Sequence, residues 1–420
     1  MRQLKSLLAA TATLALSVSV SAEDIAITGG TAYTNGGSGK IENATVLVSD
    51  GKIKTVQAGG EVPSGYRVID ATGKWVTTGL MVSGSALGLD GVPSNSGVND
   101  ATVKKAPSTI ALDATTALNA DSVIIPNTRV EGVTRAVTGF QSTSDFWLGQ
   151  GAVIHLGNGE GQDLVVRGKA FVGVSLSQGS IAKSGDSRAV VLTALDTKLE
   201  GAKEKPSGDD DKKKSDKPDP EKDALKRVLS GDASLYVEAS RKEDILAMIR
   251  LKEKHGVDVI LSGAEEAWMV ADKLAAANIP VIVNAMTNLP GGFDTLGATM
   301  KNAVRLNAAG VKVGFVGSGS NNARLMPQFA GNAVANGMPW EDAMAAMTTN
   351  PAEIFGIADS YGTLAAGKDA DVVVWDGDPI EISSSPDAVL IMGEEIPLVS
   401  RQTKLRDRYM APSRSPAFNR

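Results

Sequence analysis

A regular alternation of short apolar runs and amphipathic runs between Ser234 and Gly337 constrains the fold more than any other feature of the 420-residue chain. The amphipathic runs, such as Arg241 to His255, have apolar residues at helical spacing and end at a glycine. The apolar runs between them are typical of buried strands: 234–239, 257–261, 279–283 and 311–316. Strands that alternate with helices through short connections predict a parallel sheet, and at this chain length a (β/α)8 barrel.

Other strand-like segments lie on both sides of this region. Asp50-Gly51 separates two of them and is a hairpin signal. Ala111 to Asn119 is predicted to be helical and Val123 to Pro126 to be a strand. Residues 25–27, 44–48, 52–56 and 372–375 are further strand-like runs, and 149–156 is a further apolar stretch.

The composition excludes several kinds of site. The chain has no Cys, which removes disulfides, thiolate nucleophiles and Cys metal ligands. It has two His: His155 lies in an apolar run, and His255 lies at a helix C-terminus, where a cationic side chain is favourable. The formal net charge of −6 gives no reason to expect a nucleic-acid partner.

Two segments are not expected to join the folded core. Residues 1–22 combine Arg2 and Lys5, an apolar run and a small-residue site ending at Ala22, which together predict a secretory signal peptide. We therefore expect an exported, periplasmic protein without a membrane span after cleavage. Residues 200–224 are dense in Lys, Asp, Glu and Pro, and we expect them to form a solvated, mobile loop.

The segment Gly362 to Pro379, GTLAAGKDADVVVWDGDP, reads as a turn, a buried strand and a second turn. Its Gly-x-Leu-x-x-Gly-Lys-x-Ala-Asp pattern resembles the segment with which metal-dependent amidohydrolases, in composite domains of the imidazolonepropionase and dihydroorotase type, leave their barrel. The resemblance implies a TIM barrel with a small β-sandwich built from both termini. It divides the chain into 1–22 (signal peptide), 23–74 (sandwich, N-terminal half), 75–357 (barrel) and 358–420 (sandwich, C-terminal half and tail).

The same resemblance implies a metal site, normally zinc, whose ligands this chain lacks. The His pair of the first barrel strand maps to Gly84 and Ala86, and the fifth-strand His maps to Glu238. No His is present near 261–263, and no Asp is present near 316–320, where the family has ligands; the fourth-strand Lys could not be placed. A lone carboxylate binds Zn²⁺ poorly. The sequence therefore predicts no metal or other cofactor and a degenerate metal site.

A second resemblance indicates that the missing metal ligands are a shared feature of a group of proteins and are not a defect of this chain alone. Motifs that include Glu238-Ala239-Ser240-Arg241, the run GAEEAW at 263–268 and Asn322-Ala323-Arg324 look like an exported bacterial subgroup of the superfamily that also lacks the His pair.

Two functions stay open at this stage. The first is a non-catalytic homologue, a pseudoenzyme, that binds a small amide- or peptide-like ligand or pairs with a competent amidohydrolase subunit. The second is an active hydrolase of carbon–nitrogen bonds with an altered site, in which Glu238 is the general base and Arg324 the oxyanion partner. In the first, the barrel mouth would be lined by Glu238, Arg241, Glu265, Asn284 and Arg324.

The signal peptide generates a direct prediction. N-terminal sequencing of the exported protein should begin at or near Glu23, because Ala22 ends the small-residue site that a signal peptidase needs. Exported protein that still begins at Met1 would contradict it.

Overall fold

The computed structural model describes residues 23–93, 95–203, 219–316 and 319–410. The predicted signal peptide and residues 204–218 of the charged segment lie outside the described residues. Within them, five strands come first: β1 Ile25–Tyr33, β2 Lys40–Ser49, β3 Lys52–Ala58, β4 Arg67–Asp70 and β5 Trp75–Thr78. Eight strands of a second sheet follow: β6 Leu80–Ser85, β7 Val133–Thr138, β8 Trp147–His155, β9 Val165–Ser175, β10 Ser234–Glu238, β11 Val259–Ser262, β12 Val281–Val283 and β13 Val313–Phe315. The last strands are β14 Val372–Trp375, β15 Pro386–Ile391 and β16 Glu394–Glu395.

The eight strands β6 to β13 form a nearly closed barrel, which confirms the predicted fold class. They follow one another in chain order around the sheet, and β13 packs beside β6. From β9 to β13 all neighbours are parallel, with Glu238 paired to Ser175 on one side and to Ser262 on the other. The barrel is filled by apolar side chains that are almost all inaccessible to solvent.

One barrel strand runs against the others, which the sequence analysis did not predict. Strand β8 is antiparallel to both β7 and β9. Residues 156–164 connect β8 to β9 without a helix. A parallel pair needs a crossover of about a dozen residues or more, so this short connection forces the strand to reverse.

The helices differ from the sequence prediction in three places. They are α1 Ile124–Arg129, α2 Gln178–Lys183, α3 Arg188–Lys203, α4 Pro220–Ser230, α5 Lys242–His255, α6 Ala271–Ala276, α7 Asn302–Ala308, α8 Met326–Ala335, α9 Trp340–Ala345, α10 Thr349–Ile354 and α11 Arg401–Met410. The predicted strand Val123–Pro126 is wrong, because α1 occupies it; a short buried apolar run does not distinguish the two structures. The predicted loop 200–224 is too wide, because α3 continues to Lys203 and α4 begins at Pro220, with Asp219 as its N-cap. The predicted helix Ala111–Asn119 shrinks to a 3-10 turn at Ala114–Ala117.

None of the described helices has the length and apolar character needed to cross a bilayer.

Strands from both ends of the chain form the other sheet, in the order β16-β15-β14-β5-β1-β2-β3, with β4 also paired to β1. Strand β1 pairs with β4 through residues 25–28 and with β5 through residues 31–33. Gly29 lies between these two halves at a φ of +82°, and a Cβ on Gly30 would lie 2.9 Å from Ala71 and Val76. The two glycines therefore allow β1 to bend and change partners.

The Gly362–Pro379 segment joins this sheet to the barrel through a buried ion cluster. Arg135, on β7, donates from Nε to Asp371 Oδ2 at 2.6 Å and from Nη2 to Asp369 Oδ2 at 3.0 Å. Arg135 is 1% exposed and Asp371 is fully buried. The Tyr361 ring lies 5.3 Å from the guanidinium, and its hydroxyl donates to the Gly79 carbonyl at 2.5 Å. The Lys-x-Ala-Asp pattern is thus structural, since its carboxylates compensate a buried charge from the barrel.

We predict that Arg135→Met lowers the free energy of unfolding by about 3–5 kcal/mol, because it leaves Asp371 buried without its counter-charge. Urea unfolding followed by circular dichroism measures this. Lys52→Ala is the matched control: Lys52 also pairs with Asp369, at 2.5 Å, but its side chain is 45% exposed, so we expect a loss of less than about 1 kcal/mol. Equal losses in the two variants would contradict the role of Arg135.

Candidate functional site

The C-terminal ends of the barrel strands, where (β/α) barrels place their functional groups, surround a small cavity. Its volume is about 190 Å³. Strands β6, β9, β10 and β11 bring their last residues together here because their parallel registers align. The cavity is lined by, among others, Gly84, Phe171, Tyr236, Glu238, Ser262 and Val316.

Glu238 supplies the carboxylate of this cavity. It is the last residue of β10, at the strand end where the sequence analysis placed it. Its Oε2 accepts a hydrogen bond from Ser175 Oγ at 2.6 Å. Burial raises the pKa of the Glu238 carboxyl; the Ser175 hydrogen bond lowers it, and the negative charges of Glu265 and Asp294 raise it further. The pKa of Glu238 therefore lies above its usual range.

Tyr236 occupies the space in which a first-strand His side chain would lie. Its hydroxyl donates to Ser262 Oγ at 2.8 Å, and a Cβ added to Gly84 would lie 2.8 Å from that hydroxyl. The ring packs against Phe171 and Phe355, with centroids 4.9 and 6.3 Å away. Burial raises the pKa of Tyr236 to about 12, so the group is a neutral phenol at neutral pH.

The donors present do not fit a catalytic zinc. Such a site needs about three protein ligands, usually rich in His, and a water. The strand ends carry Gly84, Ser175, Glu238 and Ser262 instead, and Ala86 follows β6. Ser175 ends the fourth barrel strand, where the sequence analysis could not place the family Lys. In the described ranges, no group of three or more His, Cys, Asp or Glu side chains could hold a metal ion. Gly317 and Ser318, near the predicted eighth-strand position, lie outside the described residues.

Both His residues have structural partners. His155 donates from Nε2 to the Asp163 carbonyl at 2.8 Å and accepts from the Gly157 amide at Nδ1, 3.1 Å away, so it is the neutral Nε2–H tautomer. Burial lowers the pKa of His155, which favours the same neutral form. His255 ends α5 and lies 2.8 Å from Asp196 through Nε2. Neither ring faces the cavity.

The predicted site residues Arg241, Glu265 and Asn284 lie on the segments that follow β10, β11 and β12. Glu265 is close enough to act on the pKa of Glu238, and its buried Oε2 has no described hydrogen-bond partner. Arg241 is the N-cap residue of α5, three positions after Glu238. Asn284 follows β12, and its Oδ1 accepts from the Met286 amide at 2.9 Å.

Arg324 lies in the 3-10 helix Ser320–Leu325, which follows the last barrel strand and packs against α1. Burial raises the pKa of Glu131, and the charge of Arg324 lowers it. The role of Arg324 as an oxyanion partner of Glu238 stays a prediction.

Sequence reasoning missed Tyr236, Ser175, Ser262 and Asp294. Tyr236 could have been found, because it lies two residues before Glu238 on one strand and so shares its face. Ser175 and Ser262 carried no such signal, since their proximity depends on the registers of β9 and β11 with β10.

Comparison with known proteins identifies the family of this barrel. Residues 223–400 match the model of the amidohydrolase family. The fold is similar to the crystal structure of an amidohydrolase from Thermotoga maritima, with a TM-score of 0.80, 24% identity, and coverage of 89% of this chain and 99% of that one. It is also similar to molinate hydrolase, with a TM-score of 0.56, 18% identity, and coverage of 90% and 95%. The match to the amidohydrolase family model thus covers residues 223–400, and the similarity of the fold to solved amidohydrolases extends over most of the chain.

One curated relative matches over a short stretch. Amidohydrolase tasK of Hapsidospora irregularis is 44% identical over 57 residues, which are 14% of this chain. The chain spans 6% of the length of that protein.

The raised pKa of Glu238 gives a prediction for stability. The folded chain holds this proton more tightly than the unfolded chain, so the stability that the group contributes is fully present below the unfolded-state pKa and is lost as pH rises through the folded-state pKa. Glu238→Gln keeps an acceptor for Ser175 and cannot ionise. We expect it to be more stable than the parent at neutral pH by on the order of 1 kcal/mol, and the gain to vanish near about pH 4.

Urea unfolding at several pH values measures this difference. Glu243→Gln, at an exposed carboxylate on the first turn of α5, is the control and should show no such pH-dependent gain. A Glu238→Gln variant that is less stable than the parent at neutral pH would contradict the assigned direction.

Proposed function

We propose that this protein is an exported, periplasmic member of the amidohydrolase superfamily that binds a small amide- or peptide-like ligand at the barrel mouth without metal-dependent hydrolysis. The observation that carries the proposal is the Tyr236 hydroxyl, which fills the space beside Gly84 and is hydrogen-bonded to Ser262. A neutral phenol at that point leaves no room for the first-strand ligands on which metal chemistry in this family depends.

The polar groups of the cavity match an amide. Glu238 offers carboxylate oxygens that accept a hydrogen bond from an amide N–H. The Ser262 hydroxyl oxygen accepts a hydrogen bond from Tyr236. The Ser262 O–H group is therefore still available to donate a hydrogen bond to an amide carbonyl. Phe171 and Tyr236 supply apolar walls. A cavity of about 190 Å³ holds an amide group with a small substituent, and a larger ligand has to extend out of the mouth.

A second candidate function is hydrolysis of a carbon–nitrogen bond by an altered, metal-free site. The raised pKa of Glu238 favours it, because a general base works best with a pKa near the working pH. One observation counts against it. Ser175 is 1% exposed and does not line the cavity, so it positions Glu238 rather than serving as a nucleophile.

We extend the proposal to a protein partner on the basis of the family resemblance. A homologue without its own metal ligands can act by binding a competent amidohydrolase subunit, as an alternative to binding a free ligand. No nucleic-acid partner is proposed, since the formal net charge is −6.

Elemental analysis of the mature protein, purified without chelator and without an affinity metal, tests the main proposal. We expect far less than one equivalent of zinc per chain, because Glu238 is the one strong ligand among the residues that line the cavity. Near one equivalent of zinc that is lost in Glu238→Ala would overturn the proposal.

A screen of dipeptides and simple amides separates the two candidate functions. We expect no turnover above the uncatalysed rate with the parent protein. Turnover that Glu238→Gln abolishes and Glu243→Gln preserves would favour the altered hydrolase, because the two variants remove carboxylates inside and outside the cavity.

A further inference from the structure

An apolar arm borders the mouth of the barrel, and no part of the proposed function yet uses it. We define the apolar arm as residues 285–298, between β12 and α7. It exposes three large apolar side chains within eight residues: Leu289 is 76% exposed, Phe293 88% and Leu296 63%. Isolated exposed apolar residues are ordinary, but a group of them on one loop marks a binding surface.

The apolar arm is held in place by hydrogen bonds at its two ends. The Gly297 amide donates to Glu266 Oε1 at 3.1 Å, and the Gly297 carbonyl accepts from Trp268 Nε1 at 2.8 Å. The Arg305 guanidinium lies 4.2 Å from the centroid of Trp268, which fixes that ring. At the other end, Asn284 accepts from the Met286 amide.

The centre of the apolar arm has its own support. The amides of Gly291 and Gly292 both donate to Thr295 Oγ1, at 3.0 and 3.2 Å. The exposed side chains of Leu289, Phe293 and Leu296 are therefore displayed by an ordered turn. Glu266 and Trp268 of the GAEEAW motif thus hold the apolar arm in addition to their contacts with the starts of α5 and α7.

The apolar arm reaches the charged part of the mouth. Glu266 accepts from the Gly297 amide of the apolar arm, and its neighbour Glu265 has its Oε2 3.4 Å from where a Cβ on Gly263, a cavity residue, would lie. The negative charge of Asp294, next to Phe293, also raises the pKa of Glu238. Glu265 acts in the same direction. The charges that act on Glu238 are thus all negative, and an apolar surface lies beside them. An acidic ligand would be repelled by this arrangement, whereas a cation would be attracted.

We propose that the mouth binds an amide or short peptide that carries a free amino group and a large apolar side chain. The ammonium group lies toward Glu238, Glu265 and Asp294, and the apolar side chain packs on Leu289, Phe293 and Leu296. This inference rests on the proposed amide-binding function and names the ligand class for the same site. The small cavity agrees with it, because most of such a ligand has to lie outside the cavity, against the apolar arm.

Titration calorimetry with three synthetic probes tests the inference: phenylalanyl-leucinamide, its N-acetyl form and glycyl-glycinamide. Phenylalanyl-leucinamide should bind most tightly, since it alone has both the charge and the apolar groups. N-acetylation and replacement by glycines should each weaken binding by about tenfold.

Phe293→Ser should weaken phenylalanyl-leucinamide by about five- to tenfold and leave glycyl-glycinamide unchanged. Ile382→Ser is the matched control, because Ile382 is also 79% exposed but lies in the loop between β14 and β15. Since both side chains are exposed, neither substitution should change the melting temperature, and thermal unfolding checks that both variants are folded.

The outcomes separate the two proposals. If the parent and Phe293→Ser bind phenylalanyl-leucinamide equally, the inference is wrong and amide binding stands. If the parent binds none of the probes at millimolar concentration, the proposed function itself fails. Light scattering on the parent and on Phe293→Ser tests whether the apolar arm is a contact between two copies of the chain. A parent dimer that the substitution dissociates would show such a contact and would overturn the inference.

Discussion

The ion cluster between Arg135 and the carboxylates of Asp369 and Asp371 is the interaction on which the arrangement of the two sheets depends. A buried guanidinium is tolerated only where carboxylates compensate its charge and accept its protons. Arg135 comes from the barrel, and both carboxylates come from the segment that enters β14. Asp371 also accepts from the Met392 amide at 2.9 Å, and its own carbonyl accepts from the Gly79 amide. The cluster therefore binds the terminal sheet to the start of the barrel at one point.

This junction lies at the opposite end of the barrel from the candidate site. Arg135 is near the start of β7, whereas Thr138 and Gly139, at the end of that strand, line the cavity. In (β/α) barrels the end where the strands begin serves stability and the end where they finish serves function. Changes at Gly84 or Ser262 do not touch the ion cluster that holds the two sheets together.

At the mouth, hydroxyl groups and one carboxylate stand at the ends of β9, β10 and β11. The Tyr236–Ser262 and Ser175–Glu238 hydrogen bonds satisfy polar groups that would otherwise be costly to bury. Two carboxylates near Glu238, from Glu265 and Asp294, increase its proton affinity rather than pairing with it. The result is an acidic, partly closed cavity beside an exposed apolar arm. Its chemistry suits recognition of a polar or cationic group better than activation of water.

The sequence by itself determined the barrel class and the contribution of both termini to a second sheet, because these depend on local periodicity and on which residue types are present. The helix at Val123–Pro126 and the antiparallel direction of β8 were beyond it. A short apolar run suits a strand or a buried helix, and the direction of β8 follows from its nine-residue connection to β9. Only the tertiary structure decided that Tyr236 fills the space beside Gly84 and that Ser175 reaches Glu238. Both are distances between segments remote in sequence, which strand register and helix packing set and which no local pattern encodes.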